Sequence, residues 1–554
     1  MQKPERRKKY KDHEPEKTVA YIGQLLSDFG IEVREQYYHI DTADINSLRV
    51  RIADPRLWEL NIGTNGKGMD LKYTRASAYG EFMERLANNL LLPGDDTNTE
   101  GQFFLSKAEA APRVKAYCRE VFGENETVSD YYLNDVAGDE IKFQSFTDAF
   151  TGEDTPLPLP LLRLMTGSNG MCAGNSRNEA VLQGISEIFE RHVCYELTVH
   201  HVIPPEIDRK VFEGTAIYDR LAALEQAGYR CRVLDLSLGK GFPVIGIILY
   251  HGNGYRARLG ADPSPITALE RCFTEIFQGC NEISDSLFTD IDHQRADMAS
   301  ATETDRDLWF RQYIRAVSDG SGYFPLGLVT EMAVPDYAFN GFEHPISVSN
   351  EDDLRYYMDV IARSGKKLYI CDRSALGFPA YYTLIPSFSE FMITDDGGAL
   401  FRDRLECRKE LEGLTRVHSM SREELLRLAD ALEKWFGLYD ATQNYVNSLY
   451  EYCHYEWYHK YKVLAYLCAC GGNREKADKY LEKYFETYDG QRDRQLFVRK
   501  KAAAGDAEQC FPRDQWPLCP NCEACGMKDK CRLEDVKKLN AHIRAAAAER
   551  RAKP

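Results

Sequence analysis

Two stretches of this chain repeat one polar signature: Ala78-Tyr-Gly-Glu81-Phe-Met-Glu84-Arg85 and Gly184-Ile-Ser-Glu187-Ile-Phe-Glu190-Arg191. Wound as helices at about 100° per residue, each copy puts its two glutamates and its arginine in one arc of about 100°, opposite Phe82, Met83 and Leu86 or Ile185, Ile188 and Phe189. An ordinary amphipathic helix with a solvated face has the same period. Solvated faces, however, carry long side chains. Here Ser77, Ala78, Ala180 and Gly184 share the polar arc, which predicts close approach by a backbone or a ligand. A third segment repeats the composition, with Ala268, Arg271, Cys272, Glu275, Gln278 and Gly279 on one face and Leu269, Phe273, Ile276 and Phe277 behind them.

If the three polar faces meet in one cleft, Glu81, Glu84, Glu179, Glu187, Glu190 and Glu275 bring six negative charges against three positive ones from Arg85, Arg191 and Arg271. Two uncompensated carboxylates about 4 Å apart repel by roughly 4 kcal/mol at an effective dielectric of about 20. Cations must join them, and hard oxygen donors that leave room for phosphate select Mg²⁺. Ahead of the second helix runs Gly167-Ser-Asn-Gly170-Met-Cys-Ala-Gly174-Asn175-Ser176. A glycine-rich loop feeding a helix N-terminus offers free amides to an anion such as phosphate. The alternative for Ser176 is a plain helix cap, with Glu179 completing a capping box. Gly63-Thr-Asn-Gly-Lys67-Gly68 lacks the Walker A spacing and the hydroxyl residue after the lysine, and no kinase catalytic loop occurs. A nucleotide site here is of another design.

The elements that must position these residues belong to a chain of 554 residues, 44% apolar and 28% charged, long enough for two or more domains with their own cores. Residues 1–17 read as a charged, mobile arm, followed by a helix over Thr18–Phe29. Over residues 18–415, strand-like runs such as Tyr229–Leu236, Phe242–Tyr250 and Lys367–Cys371 alternate with helical patterns, which predicts one large α+β domain. Ser421 opens a capping box with Glu424, and residues 416–500 read as almost wholly helical. Trp435-Phe-Gly-Leu-Tyr439 and Ala477-Asp-Lys-Tyr480 are similar to tetratricopeptide (TPR) repeats, although without a 34-residue period a plain bundle fits equally. A cysteine-rich segment, 510–535, and a basic tail, 536–554, complete the chain.

A formal net charge of −16 argues against a general phosphate-backbone binder, so no direct DNA binding is expected. The apolar run Phe242–Tyr250 is too short to cross a membrane, and Met1–Lys17 has no apolar stretch of the secretory kind, so the expected location is cytoplasmic. Sixteen scattered cysteines fit reduced thiols. Four of them, Cys519, Cys522, Cys525 and Cys531, lie close enough in sequence to share one structural Zn²⁺ or an Fe–S cluster. His192, His200, His201, His454 and His459 have no ligand spacing and read as structural.

Ser77…Glu81…Glu84-Arg85, the loop Asn169–Asn175 leading to Glu187…Glu190-Arg191, and Ala268-Leu-Glu-Arg271…Glu275…Gln278-Gly279 together resemble the YcaO family. Thr64-Asn-Gly-Lys-Gly68 and the pair Lys11…Thr18 are similar to its longer bacterial members. The resemblance spans roughly residues 10–415. It implies a YcaO-type ATP-binding domain with ATP against Lys11, Thr18, Ser77, Asn175, Arg191 and Arg271, and Mg²⁺ among Glu81, Glu84, Glu179, Glu187, Glu190 and Glu275. Glu187, Glu190 and Arg191 would be catalytic. The implied chemistry passes the γ-phosphate to a peptide-backbone amide oxygen, after which a nucleophile attacks the activated carbon. Azoline-forming members end in a proline-rich tail, whereas this chain ends Arg550-Arg-Ala-Lys-Pro554. The resemblance therefore favours an accessory factor in β-methylthiolation of a small-subunit ribosomal protein, with a methylthiotransferase partner and a homodimer among its assemblies. An azoline- or thioamide-forming enzyme and a non-catalytic ATP-binding scaffold are the alternatives.

Overall fold

The structure is a computed structural model that describes residues 2–94, 96–277, 282–299, 305–318, 320–330, 333–392, 396, 398–439, 459–504 and 532–552. All three glutamate-bearing segments are helices, and each starts where its sequence provides a cap. Leu71–Ala87 begins after Asp70, whose carboxylate accepts the Lys72 amide at 2.7 Å. Arg177–Val199 begins after Ser176, whose hydroxyl accepts the Glu179 amide at 3.2 Å. Pro265–Ile276 begins after Ser264, with proline in the first turn, where a missing N–H costs nothing.

The chain divides into two compact units, one formed by residues 1–124, 138–394 and 538–554, the other by 125–137 and 395–537. In the first unit each glutamate helix lies on a different sheet. Leu71–Ala87 packs on the antiparallel sheet of Val33–Ile40, Ile45–Ile52 and Gly63–Gly68. Pro265–Ile276 packs on the antiparallel sheet ordered Thr289–Asp290, Gly254–Ala261, Val244–His251, Arg230–Asp235. Arg177–Val199 packs on Ala380–Leu384 and Met171–Ala173, at one end of a six-stranded sheet that also contains Gln102–Ser106, Glu140–Asp148, Asp154–Pro158 and Tyr369–Asp372. This is the α+β architecture that the alternation predicts. Phe82, Met83, Leu86, Ile185, Ile188, Phe189, Leu269, Phe273 and Ile276 are all fully buried. At roughly 1.5–3 kcal/mol for each large side chain, these apolar faces hold the helices down and leave the glutamates on the other side.

Two small residues of the polar arcs, Ala78 and Gly184, lie where strands of the sheets come close. A Cβ on Gly66 would come within 2.2 Å of the Thr74 carbonyl oxygen and 2.5 Å of the Ala78 nitrogen, so the Gly63–Gly68 strand touches the first helix where Ala78 lies. A Cβ on Gly184 would meet the Thr383 hydroxyl at 2.5 Å and the Gly170 carbonyl at 2.9 Å. Cys272 likewise points inward, fully buried, its thiol donating to the Ile245 carbonyl at 3.0 Å. The close approach expected from sequence is real, and its partner is the sheets.

The N-terminal arm is tied down, in contrast to the mobile segment expected. Glu5–Arg6 pairs in parallel with Ile346–Ser347. Arg6 reaches Glu270 at 2.7 Å, and Lys8 reaches the fully buried Asp353 at 2.5 Å. The helix after it spans Pro15–Asp28, starting before Thr18 because Pro15 is suited to a first helical turn. At the other end of the chain, Asn540 is buried against Thr97 Oγ1 at 2.6 Å, so the tail from residue 538 on packs within this unit.

In the second unit the described helices include Ala399–Leu411, Arg422–Tyr439, Lys460–Cys470, Arg474–Phe485 and Tyr488–Ala504, each packed on the next. Ser421 and Glu424 form the reciprocal capping box, at 2.8 and 3.3 Å. Its core contains Leu414, Leu425, Leu432, Trp435, Leu467 and Tyr480. Among the described residues no helix is long and apolar enough to cross a membrane.

Candidate nucleotide and metal site

The polar faces of the three helices meet. On the first, Arg85 lies between Glu81 at 3.6 Å and Glu84 at 3.5 Å. On the second, Arg191 pairs with Glu187 at 2.5 Å. On the third, Glu275 pairs with Lys67, which projects from the Gly63–Gly68 strand. Charges on one helix are felt on the others. Burial pushes the Glu84 carboxyl up to about 8, with Glu187 and Glu81 adding to the rise against Arg85 and Arg191. Burial pushes Glu190 up to about 7, with Glu275 adding and Lys67, Arg271 and Arg191 opposing. Glu81 is raised as well, by burial and by Glu187 and Glu275. Glu275 is the exception: burial would raise it, but Lys67, Arg258 and Arg191 outweigh burial and hold it below its ordinary value.

A second cluster forms where the N-terminal arm crosses the start of the second helix. Glu179 is nine-tenths buried and accepts the Asp12 amide at 2.8 Å, the Asn175 side chain at 3.1 Å and an ion pair from Lys11 at 3.5 Å. Burial raises its carboxyl, yet Lys11 and these donors leave it below the ordinary range. Thr18 donates to Asn175 Oδ1 at 2.6 Å, which links the first helix of the chain to the loop. The capping-box reading of Glu179 fails on this geometry, because its side chain turns to the arm while Ser176 caps alone and donates to Asp12. Arg271 pairs with Asp262 at 3.7 Å and donates to Gln183. Lys11, Glu179, Gln183, Asp262 and Arg271 line one small pocket of about 30 Å³. Ser77 is exposed one turn before Glu81 and makes none of these contacts.

Beyond Glu190 a larger cavity of about 460 Å³ opens, lined by Glu190, Arg191, Glu275, Arg258, Tyr38 and Phe324 among others. Cys194 also faces it, but burial pushes that thiol far up, which suits packing better than nucleophilic chemistry.

The donors fit a hard divalent cation. They are all carboxylate oxygens, three of them are held above their ordinary ionisation by burial and mutual repulsion, and Glu275 Oε2 is buried with no hydrogen-bond partner. Each of Glu81, Glu84, Glu187 and Glu275 is turned to an arginine or lysine. Among the described residues the three side chains whose ligand atoms lie within 4.8 Å of one another are His344, Asp352 and Asp353. There Asp353 is already satisfied by His344, Ser347 and Lys8, so the group anchors the arm. His192 lies parallel to Phe388 at 3.9 Å between ring centres, and burial lowers its ring to about 4. Cys519, Cys522, Cys525 and Cys531, with Gln278 and Gly279, lie outside the described residues.

Lys67, Asp262, Gln183 and Asp12 also belong to these clusters, beyond the site residues expected from sequence. Lys67 had a signal, a lone cation in a glycine-rich strand running onto the first glutamate helix. The other three had none that separates them from surface polar residues.

The family model for YcaO cyclodehydratases, ATP- and Mg²⁺-binding, matches residues 65–389, more than half of the chain. The chain belongs to the YcaO family. The YcaO match begins at Asn65, in the strand that supplies Lys67, and takes in all three glutamate helices. One relative is the Escherichia coli K12 protein named ribosomal protein S12 methylthiotransferase accessory factor YcaO, 29% identical over 410 residues, 70% of this chain and 67% of that one. The chain spans about two thirds of the length of the curated relatives it matches. Among solved structures, YcaO from Methanopyrus kandleri bound with AMPPCP and Mg²⁺ is 16% identical, with a TM-score of 0.42 over 68% of this chain and 92% of that one. A heterocyclase in complex with substrate and cofactor is 19% identical, with a TM-score of 0.48 over 70% of this chain and 54% of that one. Membership of the YcaO family rests on the family model and not on these two likenesses.

Proposed function

We propose that this protein is a Mg²⁺-dependent, ATP-using enzyme that phosphorylates a peptide-backbone amide and serves as an accessory factor in β-methylthiolation of a small-subunit ribosomal protein. The observation that carries the enzymatic part is the meeting of five glutamates from three helices, with Glu81, Glu84 and Glu190 held above their ordinary ionisation by burial and by neighbouring carboxylates. The name of the E. coli relative supports the accessory role.

In this reading Glu81, Glu84, Glu187, Glu190 and Glu275 hold Mg²⁺, with Glu179 completing the set at the arm. Bound Mg²⁺ supplies positive charge to the phosphoryl oxygens as negative charge moves through them. Lys11 and Arg271, which line the small pocket, hold the nucleotide together with Thr18 and Asn175, which are bonded to each other beside Glu179, and with Ser77, exposed on the first glutamate helix. Arg191 takes the phosphate end, where a planar guanidinium can offer two parallel N–H donors. The acceptor enters through the cavity beside Glu190 and Arg191. Its amide oxygen bonds to the γ-phosphorus, the bond from that phosphorus to the β–γ bridging oxygen breaks, and ADP leaves. A thiol, hydroxyl or external sulfur nucleophile then attacks the amide carbon, and phosphate departs with the former amide oxygen. The family model's cyclodehydratase description supports azoline or thioamide formation as the second reading of the same step.

The test is ATP turnover with Mg²⁺ in the wild type and in an E187Q/E190Q variant, together with mass spectrometry of host peptides with and without each protein. The variant is expected to lose turnover while keeping its fold. Full turnover in the variant defeats the site assignment, and an unchanged peptide set defeats the accessory role.

A further inference from the structure

We infer that Phe391 is a positioning residue for Arg191, fixing the plane of the guanidinium that grips the nucleotide phosphates; this rests on the nucleotide reading of Arg191 given above. The guanidinium carbon of Arg191 stands 4.8 Å from the centre of the Phe391 ring. Phe391 lies just beyond the stretch matched by the family model, which ends at residue 389. The strongest other contact of the guanidinium is Glu187, one turn earlier on the same helix. A carboxylate drawn to a cation gives up part of that contact, and the aromatic face is then the support that remains. An arginine over an aromatic ring is favoured by the quadrupole and keeps its edge N–H groups free for an anion.

The platform is held from several sides. The Phe391 amide donates to the Met165 carbonyl at 2.7 Å, and its ring lies 6.2 Å from that of Tyr313 and against Gly167. Two residues earlier, Asn169 donates to the Ser389 carbonyl at 2.8 Å, and Ser389 Oγ accepts the Ile385 amide at 2.8 Å. Between them, Glu390 accepts Tyr117 OH at 2.8 Å in the core. Phe388 stacks on His192 while Phe391 stacks on Arg191, so one short segment clasps two consecutive residues of the second glutamate helix. A ring fixed this well can restrict the rotamers of a long, flexible arginine before the nucleotide arrives.

The experiment measures the dissociation constant of Mg²⁺·AMPPNP for the full chain as wild type, F391L, F391Y, R191Q and F391L/R191Q. F391L is expected to weaken binding about three- to thirtyfold, the range of a cation–π contact between exposed and desolvated settings. F391Y, which keeps the aromatic face, is expected to stay within about twofold of wild type. In the R191Q background F391L is expected to cost less than about twofold more, because the contact it breaks is already gone. If F391L is silent while R191Q is not, or if F391L costs the same factor in both backgrounds, the inference is overturned. If R191Q binds as well as wild type, the nucleotide reading of Arg191 falls and takes this inference with it. F391M replaces F391L should that variant not fold, with the same expected losses.

Discussion

Replacing Glu190 with glutamine should make the metal-free protein more stable at pH 8 while removing its response to Mg²⁺ and nucleotide. Glu190 ionises at about 7 in the fold against an ordinary 4.5, burial being the main cause and Glu275 the second. Below pH 4.5 the group is protonated in folded and unfolded chains alike, so it changes nothing. Between about 4.5 and 7 the unfolded chain gives up the proton and the folded one keeps it, so stability falls as pH rises. Above 7 the loss is complete, and 2.5 units at 1.36 kcal/mol each make it about 3 kcal/mol. Glutamine matches the protonated acid in shape and does not ionise. E190Q should therefore melt with the wild type at pH 4.5 in EDTA and several degrees above it at pH 8. Added Mg²⁺ and nucleotide should raise the wild-type midpoint, because a ligand that binds only the folded state stabilises it, and should leave E190Q nearly unmoved. If E190Q is destabilised equally at both pH values, Glu190 is a structural partner of Lys67 and Arg271 and the reasoning fails.

Arg191→Lys should cost at least tenfold in kcat/KM for ATP, since an ammonium cannot make two parallel bonds to a phosphate; steady-state kinetics with equal activity in both proteins would count against that role. Asp353→Asn strands Lys8 without its buried counter-charge and should cost on the order of 3 kcal/mol. Limited proteolysis should then cut the arm faster and nucleotide affinity should drop with the loosening of Lys11, whereas an unchanged digestion pattern would show that the pair does not hold the arm. For the thiols at 519–531, elemental analysis and a visible spectrum of anaerobically purified protein should show one bound metal site: zinc without colour, or iron with a brown cluster. Neither metal would dismiss the site.

The three helices were legible because their signal is local: Phe82, Met83 and Leu86 recur at helical spacing, as do their counterparts on the other two, and Ser176 marks the start of the second. What the sequence could not reveal was long-range pairing. Ala78 and Gly184 pointed to close approach by a backbone or a ligand, and only the packing shows that the strands at Gly66 and Thr383 are what approaches. Lys67 and Glu275 are far apart in sequence, and only the packing of the third glutamate helix against the Gly63–Gly68 strand brings them together. The arm looked mobile because its run of charges has no apolar stretch to bury, yet Arg6, Lys8 and Lys11 each meet a mostly buried acid on another element. Glu179 carried the local signature of a capping box, and the nearby arm offered it better donors. In each case a local rule gave way to a partner distant in sequence.

In the proposed site the glutamates of three helices hold Mg²⁺ on a bound nucleotide. Calorimetric titration of AMPPNP into the protein, with Mg²⁺ and again in EDTA, tests it most directly. Binding is expected to depend on Mg²⁺ in the wild type and to weaken by at least about a hundredfold in E187Q/E190Q, since losing even an outer partner of a metal ligand costs about 10–100-fold in affinity. Equal affinity in the two proteins, or affinity indifferent to Mg²⁺, would contradict it.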